Sequence, residues 1–321
     1  MPDLAVGGQA VIEGVMMRSD DRIATAVRVP SGEILVKSEE YKSVSSRYKL
    51  LGFPIIRGVV TFFEMLIIGI RTLNFSADIA VREIEKEKAE AEGKEYIHPE
   101  KPTSSLVLIG TAVIAISIGI LVFFFIPLAI STFFGFEKDA ITFNFLAGFI
   151  RVALFLGYVW GISHFPEFKK VFQYHGAEHK SIFAFENGEE LTTDNVQRYP
   201  RLHPRCGTSF ILIVALFAIL VYAISDSIYF VVTGDPPNLW QRFALHFSLL
   251  PIVAGSSYEL LKLSGRTRDN ALTRFLITPG LWIQRITTKE PSPAQMEVAI
   301  VALESALNMT ESKLAVKKTC L

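Results

Sequence analysis

The sequence predicts a mainly α-helical, polytopic membrane protein with a small N-terminal β unit. Half of the 321 residues are hydrophobic and the mean hydropathy is +0.36, which is too apolar for an ordinary soluble domain with evenly spread charge. Several stretches are also long and apolar enough to cross a bilayer, since a spanning helix needs about 20 such residues. We therefore predict a helical bundle of about four spans with amphipathic helices on its cytoplasmic side.

The four predicted spans carry few charges. They comprise residues 105–134, 141–163, 208–233 and 243–261. Charged side chains inside a membrane normally pair with one another or line a cavity. Arg151 of the second span and Asp226 of the third are therefore predicted to form a structural ion pair, and a polar pathway through the bundle is the alternative.

A further apolar stretch, residues 53–75, has three charges on one helical face. Arg57, Glu64 and Arg71 are spaced by seven residues, which is close to two helical turns. Lipid does not tolerate such a face, whereas an interface does. We predict an in-plane or re-entrant amphipathic helix, or a helix whose charged face is turned to the bundle interior.

Lysine and arginine residues predict the orientation of the chain. They are frequent before the first span, in the loop between the second and third spans, and after the fourth span, whereas the two remaining loops have one each. Cytoplasmic loops are enriched in these residues. Both termini and the central loop are therefore expected in the cytoplasm.

Three segments outside the spans have recognisable patterns. ATAVRV and EILVKS alternate on either side of the turn PSG and predict a β-hairpin. Residues 78–95 predict a charged, solvated helix, and residues 291–307 an amphipathic helix that must pack on another element.

We divide the chain into a β-hairpin unit, amphipathic and charged helices, spans 1–2, a histidine-rich helix and loop, spans 3–4 and a C-terminal tail. These units are residues 1–50, 51–104, 105–163, 164–207, 208–263 and 264–321.

The strongest chemical signal is YHGAEHK, residues 174–180. Apolar residues at helical spacing predict a helix over 166–187, and the same face contains His175, Glu178 and His179. At about 100° per residue, the two histidines are about 40° apart and Glu178 is about 60° to the other side of His175. Buried imidazoles and carboxylates need polar partners, and a divalent metal would satisfy both rings at once.

The spacing His-x-x-Glu-His reverses the zinc-binding His-Glu-x-x-His helix and matches the inverzincin pattern. In that chemistry the two histidines bind zinc and the glutamate polarises a water molecule. The pattern predicts His175 and His179 as metal ligands, Glu178 as the catalytic residue and zinc as the cofactor. The alternative is a pair of core histidines bonded to carbonyls or carboxylates.

A third protein ligand is expected, because hydrolytic zinc commonly has three and one open position. Glu259, near the cytoplasmic end of the fourth span, ranks equally with His203, and Cys206 follows. If His175, His179, His203 and Cys206 all bound the ion, the site would be closed and structural, without catalysis.

Six motifs resemble, in order, those of the YqhQ-like family. They are GGQAVIEGVMMR, FPIIRGVV, YHGAEHKSIFAFENG, HPRCGTSF, SSYELLKLSGR and PGLWIQRITTKEPSPAQMEVAIVAL. The resemblance covers nearly the whole chain. The YqhQ-like family is bacterial and is described as predicted metal-dependent membrane enzymes. The resemblance therefore implies a metal-dependent protein of the bacterial inner membrane. His175, Glu178, His179, His203 and Cys206 match its histidine-rich motifs. The resemblance implies no substrate.

Three functional hypotheses follow. The first is a metal-dependent hydrolase at the cytoplasmic membrane face, acting on a peptide, a lipid or a membrane protein. The second is a non-enzymatic scaffold, assembly factor or transporter component with a structural metal site. The third places the activity in the N-terminal motif, through Glu13, Arg18 and Arg57. The lipid bilayer is the expected partner, and a net charge of zero gives no support for nucleic acid.

Overall fold

A computed structural model of the chain describes residues 6–94, 105–204, 206–266, 271–309 and 318–320. The strands are β1 (Gly7–Val11), β2 (Gly14–Arg18), β3 (Arg22–Arg28), β4 (Ile34–Glu40) and β5 (Lys318–Cys320). The helices are α1 (Val44–Arg47), α2 (Ile56–Ala91), α3 (Ser105–Ile120), α4 (Ile126–Phe133), α5 (Ala140–Ile162), α6 (Pro166–Glu186), α7 (Thr193–Gln197), α8 (Gly207–Thr233), α9 (Leu239–Arg266), α10 (Ala271–Thr287) and α11 (Pro293–Ala306). A π-helical segment, Leu121–Phe125, joins α3 to α4.

Within the described residues, three helical stretches are long and apolar enough to cross a membrane. They are Gly110–Phe133, Ala140–Ile162 and Ile213–Thr233. These stretches correspond to the first three predicted spans and are consistent with a membrane protein. The fourth predicted span lies within α9, which is not among the three, so that span stays a prediction.

The helices enclose a buried polar cluster centred on Asp226 of α8. Its carboxylate accepts hydrogen bonds from Arg242 Nε at 3.0 Å, His246 Nε2 at 2.9 Å and Asn144 Nδ2 at 2.9 Å. All four side chains are at most 1% exposed. A buried carboxylate is tolerated when it is paired and hydrogen-bonded in this way.

The predicted ion pair between Arg151 and Asp226 is thus replaced by a pair between Arg242 and Asp226. Helices α8 and α9 are joined by a short connection, which brings Arg242 opposite Asp226. Arg242 lies one residue before the predicted fourth span and was not considered as a partner. The Arg151 guanidinium instead lies over two aromatic rings, 4.9 Å from the centre of Phe124 and 5.4 Å from that of Tyr222.

Residues 53–75 and 78–95, predicted as two helices, contribute to one 36-residue helix, α2. The charged face of α2 contacts other segments of the chain. Arg57 binds Glu259 of α9 through two hydrogen bonds, and the Glu64 carboxylate accepts one from the backbone N–H of Val44 at 2.6 Å. Of the predicted alternatives for this stretch, the helix turned to the bundle interior fits these contacts. The other face exposes large apolar side chains, namely Phe62, Phe63, Leu66, Ile67 and Ile70.

Helix α2 crosses α9 at a contact between two glycines. A Cβ atom added to Gly58 would lie 2.4 Å from the carbonyl oxygen of Gly255, and one added to Gly255 would lie 2.5 Å from that of Ile55. No side chain fits at either position. Small residues allow this close backbone approach.

The N-terminal strands form an antiparallel meander in the order β1-β2-β3-β4, and β5 pairs with β4 in parallel. The predicted hairpin is confirmed by the pairing of β3 with β4. The helix predicted over 291–307 is confirmed as α11, which begins with a capping box formed by Ser292 and Gln295. It packs on β2, β3 and α6. This layer of sheet and helix supports α6, the histidine-rich helix.

Candidate metal centre

Helix α6 begins with Pro166, carries the His-x-x-Glu-His sequence, and packs against β1, β2 and α11. Its C-terminal half is buried on almost all sides. Lys180, which lies outside the His175–Glu178–His179 face, is also buried, being 4% exposed, and forms an ion pair with Glu290. The amphipathic pattern therefore describes only the first half of α6, because surrounding elements cover both faces of the second half.

Backbone carbonyls hold both imidazoles by their Nδ1 atoms. His175 Nδ1 lies 2.8 Å from the carbonyl oxygen of Thr287, and His179 Nδ1 lies 2.5 Å from that of Arg201. A carbonyl can only accept, so each Nδ1 donates and each neutral ring keeps its lone pair on Nε2. Burial lowers the pKa of His179 and favours its neutral form. Both rings are thereby prepared to bind a cation through Nε2.

Cys206 completes a group of three donors. The Nε2 atom of His175 lies 3.2 Å from Cys206 Sγ, and the donor atoms of His175, His179 and Cys206 all lie within 4.8 Å of one another. Bonds of about 2.0–2.3 Å in a tetrahedral zinc site keep the donors roughly 3.3–3.8 Å apart. Two imidazole nitrogens and one thiol sulfur therefore fit zinc after small side-chain movements.

Glu178 lies beside this group, on the side of β1. It is 5% exposed and accepts a hydrogen bond from the backbone N–H of Gly8. Burial raises the pKa of Glu178 to about 8, while the neighbouring His175 opposes that rise and Cys206 adds to it. A carboxyl group with a pKa close to neutrality can both accept and donate a proton.

Two glycines permit the close packing around the group. A Cβ atom on Gly176 would lie 2.1 Å from the carbonyl oxygen of Lys289, and one on Gly8 would lie 2.9 Å from the Cδ atom of Glu178. The first glycine brings the segment after α10 against α6, and the second brings β1 against the acid. Glycine inside a helical pattern often marks such a backbone approach.

His203 lies next to the three-donor group and outside it. Its ring centre is 5.7 Å from that of His179 and 4.3 Å from that of Phe183. Its Nε2 atom lies 3.6 Å from the carboxylate of Glu186. In this arrangement His203 neighbours the ring of His179, a candidate ligand.

The backbone of His203 is fixed by the side chain of Gln284, which is not among the predicted site residues. Gln284 of α10 accepts from the His203 N–H at 2.8 Å and donates to its carbonyl at 2.8 Å. This pair of bonds holds the segment that supplies both the Arg201 carbonyl and Cys206. Gln284 and Thr287 both lie in PGLWIQRITTKEP. This motif is part of the resemblance to the YqhQ-like family, but the motif alone does not indicate what either residue does.

The remaining predicted site residues engage other parts of the molecule. Glu259 binds Arg57, with Nε–Oε1 and Nη2–Oε2 distances of 2.7 and 2.5 Å. Glu13, at a positive φ of 51° in the β1–β2 turn, accepts from Lys170 Nζ at 2.7 Å. Arg18 lies over the Tyr41 ring at 4.4 Å. The N-terminal motif thus supplies contacts to α6 and α2.

Fold and site together define a helical membrane protein with a candidate metal centre beside an N-terminal sheet. The chain belongs to the family described as "Protein of unknown function (DUF1385)", which matches residues 53–309. It is 35% identical over 316 residues to the uncharacterized protein YqhQ of Bacillus subtilis (strain 168), an alignment that covers 95% of this chain and 93% of the relative. No solved structure matched the chain. The resemblance to the YqhQ-like family is confirmed, and these comparisons assign no activity.

Proposed function

We propose that this protein is a membrane-bound, zinc-dependent hydrolase. The observation that supports it best is the convergence of the donor atoms of His175, His179 and Cys206 within 4.8 Å of one another. Glu178 lies beside them, on the same helix as the two histidines. Three protein ligands and a neighbouring carboxylate are the composition of many hydrolytic zinc sites.

In this proposal each side chain has a separate role. The two histidines and the cysteine hold the ion, and the carbonyls of Thr287 and Arg201 fix the orientation of the imidazoles. Zinc held there would supply Lewis acidity for the activation of water. Glu178 accepts the proton of the attacking water and returns it to the leaving group.

The position of the group favours a substrate delivered from the membrane. Cys206 directly precedes α8, which carries the apolar stretch Ile213–Thr233. The group therefore sits close to one end of a candidate spanning helix. The distribution of lysine and arginine supports a cytoplasmic location for that end, at the inner membrane of a bacterium. A lipid, a membrane-protein segment or an amphiphilic peptide is the proposed substrate class.

Elemental analysis tests the metal part of the proposal. Protein purified without chelators should contain about one zinc ion per chain, and H175A and H179A should each lose most of it. E178Q should keep the ion, because Glu178 is not a ligand in this arrangement. A folded wild-type protein with no divalent metal, even after zinc is added, would contradict the proposal.

Hydrolysis of defined probes tests the enzymatic part. Nitrophenyl esters of short and long fatty acids and a quenched fluorescent peptide represent the lipid and peptide classes. At least one should be cleaved in a zinc-dependent reaction, and E178Q should lower the rate at least 100-fold with its zinc content unchanged, since proton transfer contributes roughly 10²–10⁴-fold to such rates.

A structural metal site in a non-enzymatic scaffold or transporter component is the second candidate. The burial of the donors favours it, because His179 and Cys206 are only 1% and 7% exposed and closed zinc sites contribute to folding. In that case H175A would still lose zinc and stability, as in the first candidate, and the two functions would differ in the probe reactions. Wild-type protein that is fully loaded with zinc and inert toward every probe would favour this function.

A further inference from the structure

A cavity of about 250 Å³ lies among the helices α5, α8, α9 and α10 and the π-helical segment. Of the described residues that line it, all except Arg151 and Tyr222 are apolar. Apolar cavities of about 150 Å³ in proteins bind small hydrocarbons such as benzene. The cavity is therefore large enough for part of an alkyl chain, and three candidate spanning stretches contribute to its wall.

The wall of the cavity contains a cation, Arg151, that forms no ion pair with an acidic side chain among the described residues. Arg151 lies midway along α5, its guanidinium rests over the rings of Phe124 and Tyr222, and Asp226 is already bonded to Arg242. The Nε and Nη2 atoms of Arg151 are buried and have no hydrogen-bond partner among the described residues, and the same holds for the Tyr222 hydroxyl. Buried charged donors of this kind are costly unless a partner of opposite charge is present.

The two unsatisfied nitrogens identify the shape of that partner. Nε and Nη2 form one edge of the guanidinium, and a carboxylate can bridge this edge with two parallel hydrogen bonds. The same chain contains such a pair, because Arg57 binds Glu259 through its own Nε and Nη2 atoms at 2.7 and 2.5 Å. A carboxylate that reached Arg151 could repeat this arrangement, with the Tyr222 hydroxyl available as a further donor.

We propose that the cavity binds a long-chain fatty acid, with its alkyl chain among the apolar helices and its carboxylate on Arg151. A fatty acid combines the two properties that the cavity requires, an apolar chain and a bidentate anion. It also reaches the depth of Arg151 more readily than a phospholipid headgroup, because its single acid group can cross the apolar layer in protonated form. This site is independent of the His175–His179–Cys206 group and of its proposed activity.

Binding of radiolabelled oleate tests the proposal, with the protein held in phosphatidylcholine nanodiscs and empty nanodiscs as the background. Saturable binding of about one oleate per chain is expected. R151Q should weaken it at least tenfold, and A218F, which places a larger side chain in the cavity wall, should remove it with the cation retained. R285Q, a change at an exposed cation of α10 that does not line the cavity, should bind as the wild type does.

Four competitors separate the chemistry of the ligand. Unlabelled oleate should displace the label, whereas oleyl alcohol, which lacks the acid, and inorganic phosphate, which lacks the chain, should not. Wild-type protein without saturable binding, or R151Q and A218F that both bind normally, would refute the site. Stronger competition by lysophosphatidic acid than by oleate would replace the fatty acid with a phosphate-bearing lipid. Thermal unfolding of each variant shows whether a loss of binding reflects a loss of folding. If R151Q is unfolded, the binding measured for A218F decides whether the site exists.

Discussion

The Nε2 atom of His175 lies 3.2 Å from the Sγ atom of Cys206, although the two residues are 31 positions apart. His175 belongs to α6 in the layer beside the sheet, and Cys206 directly precedes α8 in the helical bundle. An ion bound between them would join these two parts of the molecule.

Loss of the ion should destabilise the protein. A ligand that binds only the folded state stabilises it by about 2.7–4.1 kcal/mol when present at 100 to 1,000 times its dissociation constant, so chelation should lower the Tm by several degrees. H175A and H179A should lower the Tm without further response to the chelator. H164A is the matched control, because exposed His164 lies outside the donor group. An equal response of H164A and H175A would contradict the assignment.

Replacement of Cys206 and of Glu259 should separate the candidates for the third ligand. C206S should lower zinc occupancy strongly, and in cobalt-loaded protein it should remove the near-ultraviolet absorption that a thiolate ligand produces. E259Q should keep its metal, since Glu259 is bound to Arg57. Loss of metal in E259Q, with C206S unaffected, would reverse the two roles.

The glycine inside the His-x-x-Glu-His helix should be intolerant of a side chain. In G176A the new methyl group would lie 2.1 Å from the Lys289 carbonyl oxygen, so the chain that carries Thr287 must move away from His175. We expect a loss of about 1–3 kcal/mol in the free energy of unfolding, together with weaker zinc binding. G157A in α5 is the control, because a Cβ there meets nothing within 4 Å, and it should be neutral or slightly stabilising. Equal stability and zinc affinity in both variants would show that the contact is unimportant.

The polar cluster inside the bundle should depend on Asp226. D226N leaves the buried Arg242 without its counter-ion, and breaking a buried ion pair from one side typically costs about 3–5 kcal/mol. Thermal unfolding in detergent should therefore show a large loss of stability. D235N, at an exposed position after α8, should change little. A wild-type Tm for D226N would mean that water or lipid headgroups compensate the charge.

The elements predicted well from the sequence are those that local patterns determine. Long apolar stretches predicted the three candidate spanning helices, and the alternation around PSG predicted the β3–β4 hairpin. The helical pattern also predicted that Glu178 and His179 would be buried. Each of these features depends on residues that are close in the chain, so hydropathy and spacing are sufficient evidence.

The features that the sequence did not predict depend on partners far away in the chain. Arg242 reaches Asp226 because α8 and α9 lie side by side. Neither segment alone indicates that Arg242, rather than Arg151, is the ion-pair partner of Asp226. The choice among Glu259, His203 and Cys206 as third donor likewise depends on which chain segments meet α6. Lys180 is buried because other elements cover both faces of its helix, which the polarity of the side chain could not indicate.

The unbroken course of α2 has a consequence for insertions and deletions. Gly58 contacts α9, while Ser76, 18 residues later on the same helix, accepts a hydrogen bond from the backbone of Ile12 beside β1. One extra residue between them would rotate the distal end by about 100° and turn the side chains that now meet the sheet toward solvent. Seven extra residues would add about 10 Å of length with only about 20° of rotation. Length changes in this segment should therefore be least disruptive when they are close to whole numbers of helical turns, such as about 7, 11 or 18 residues.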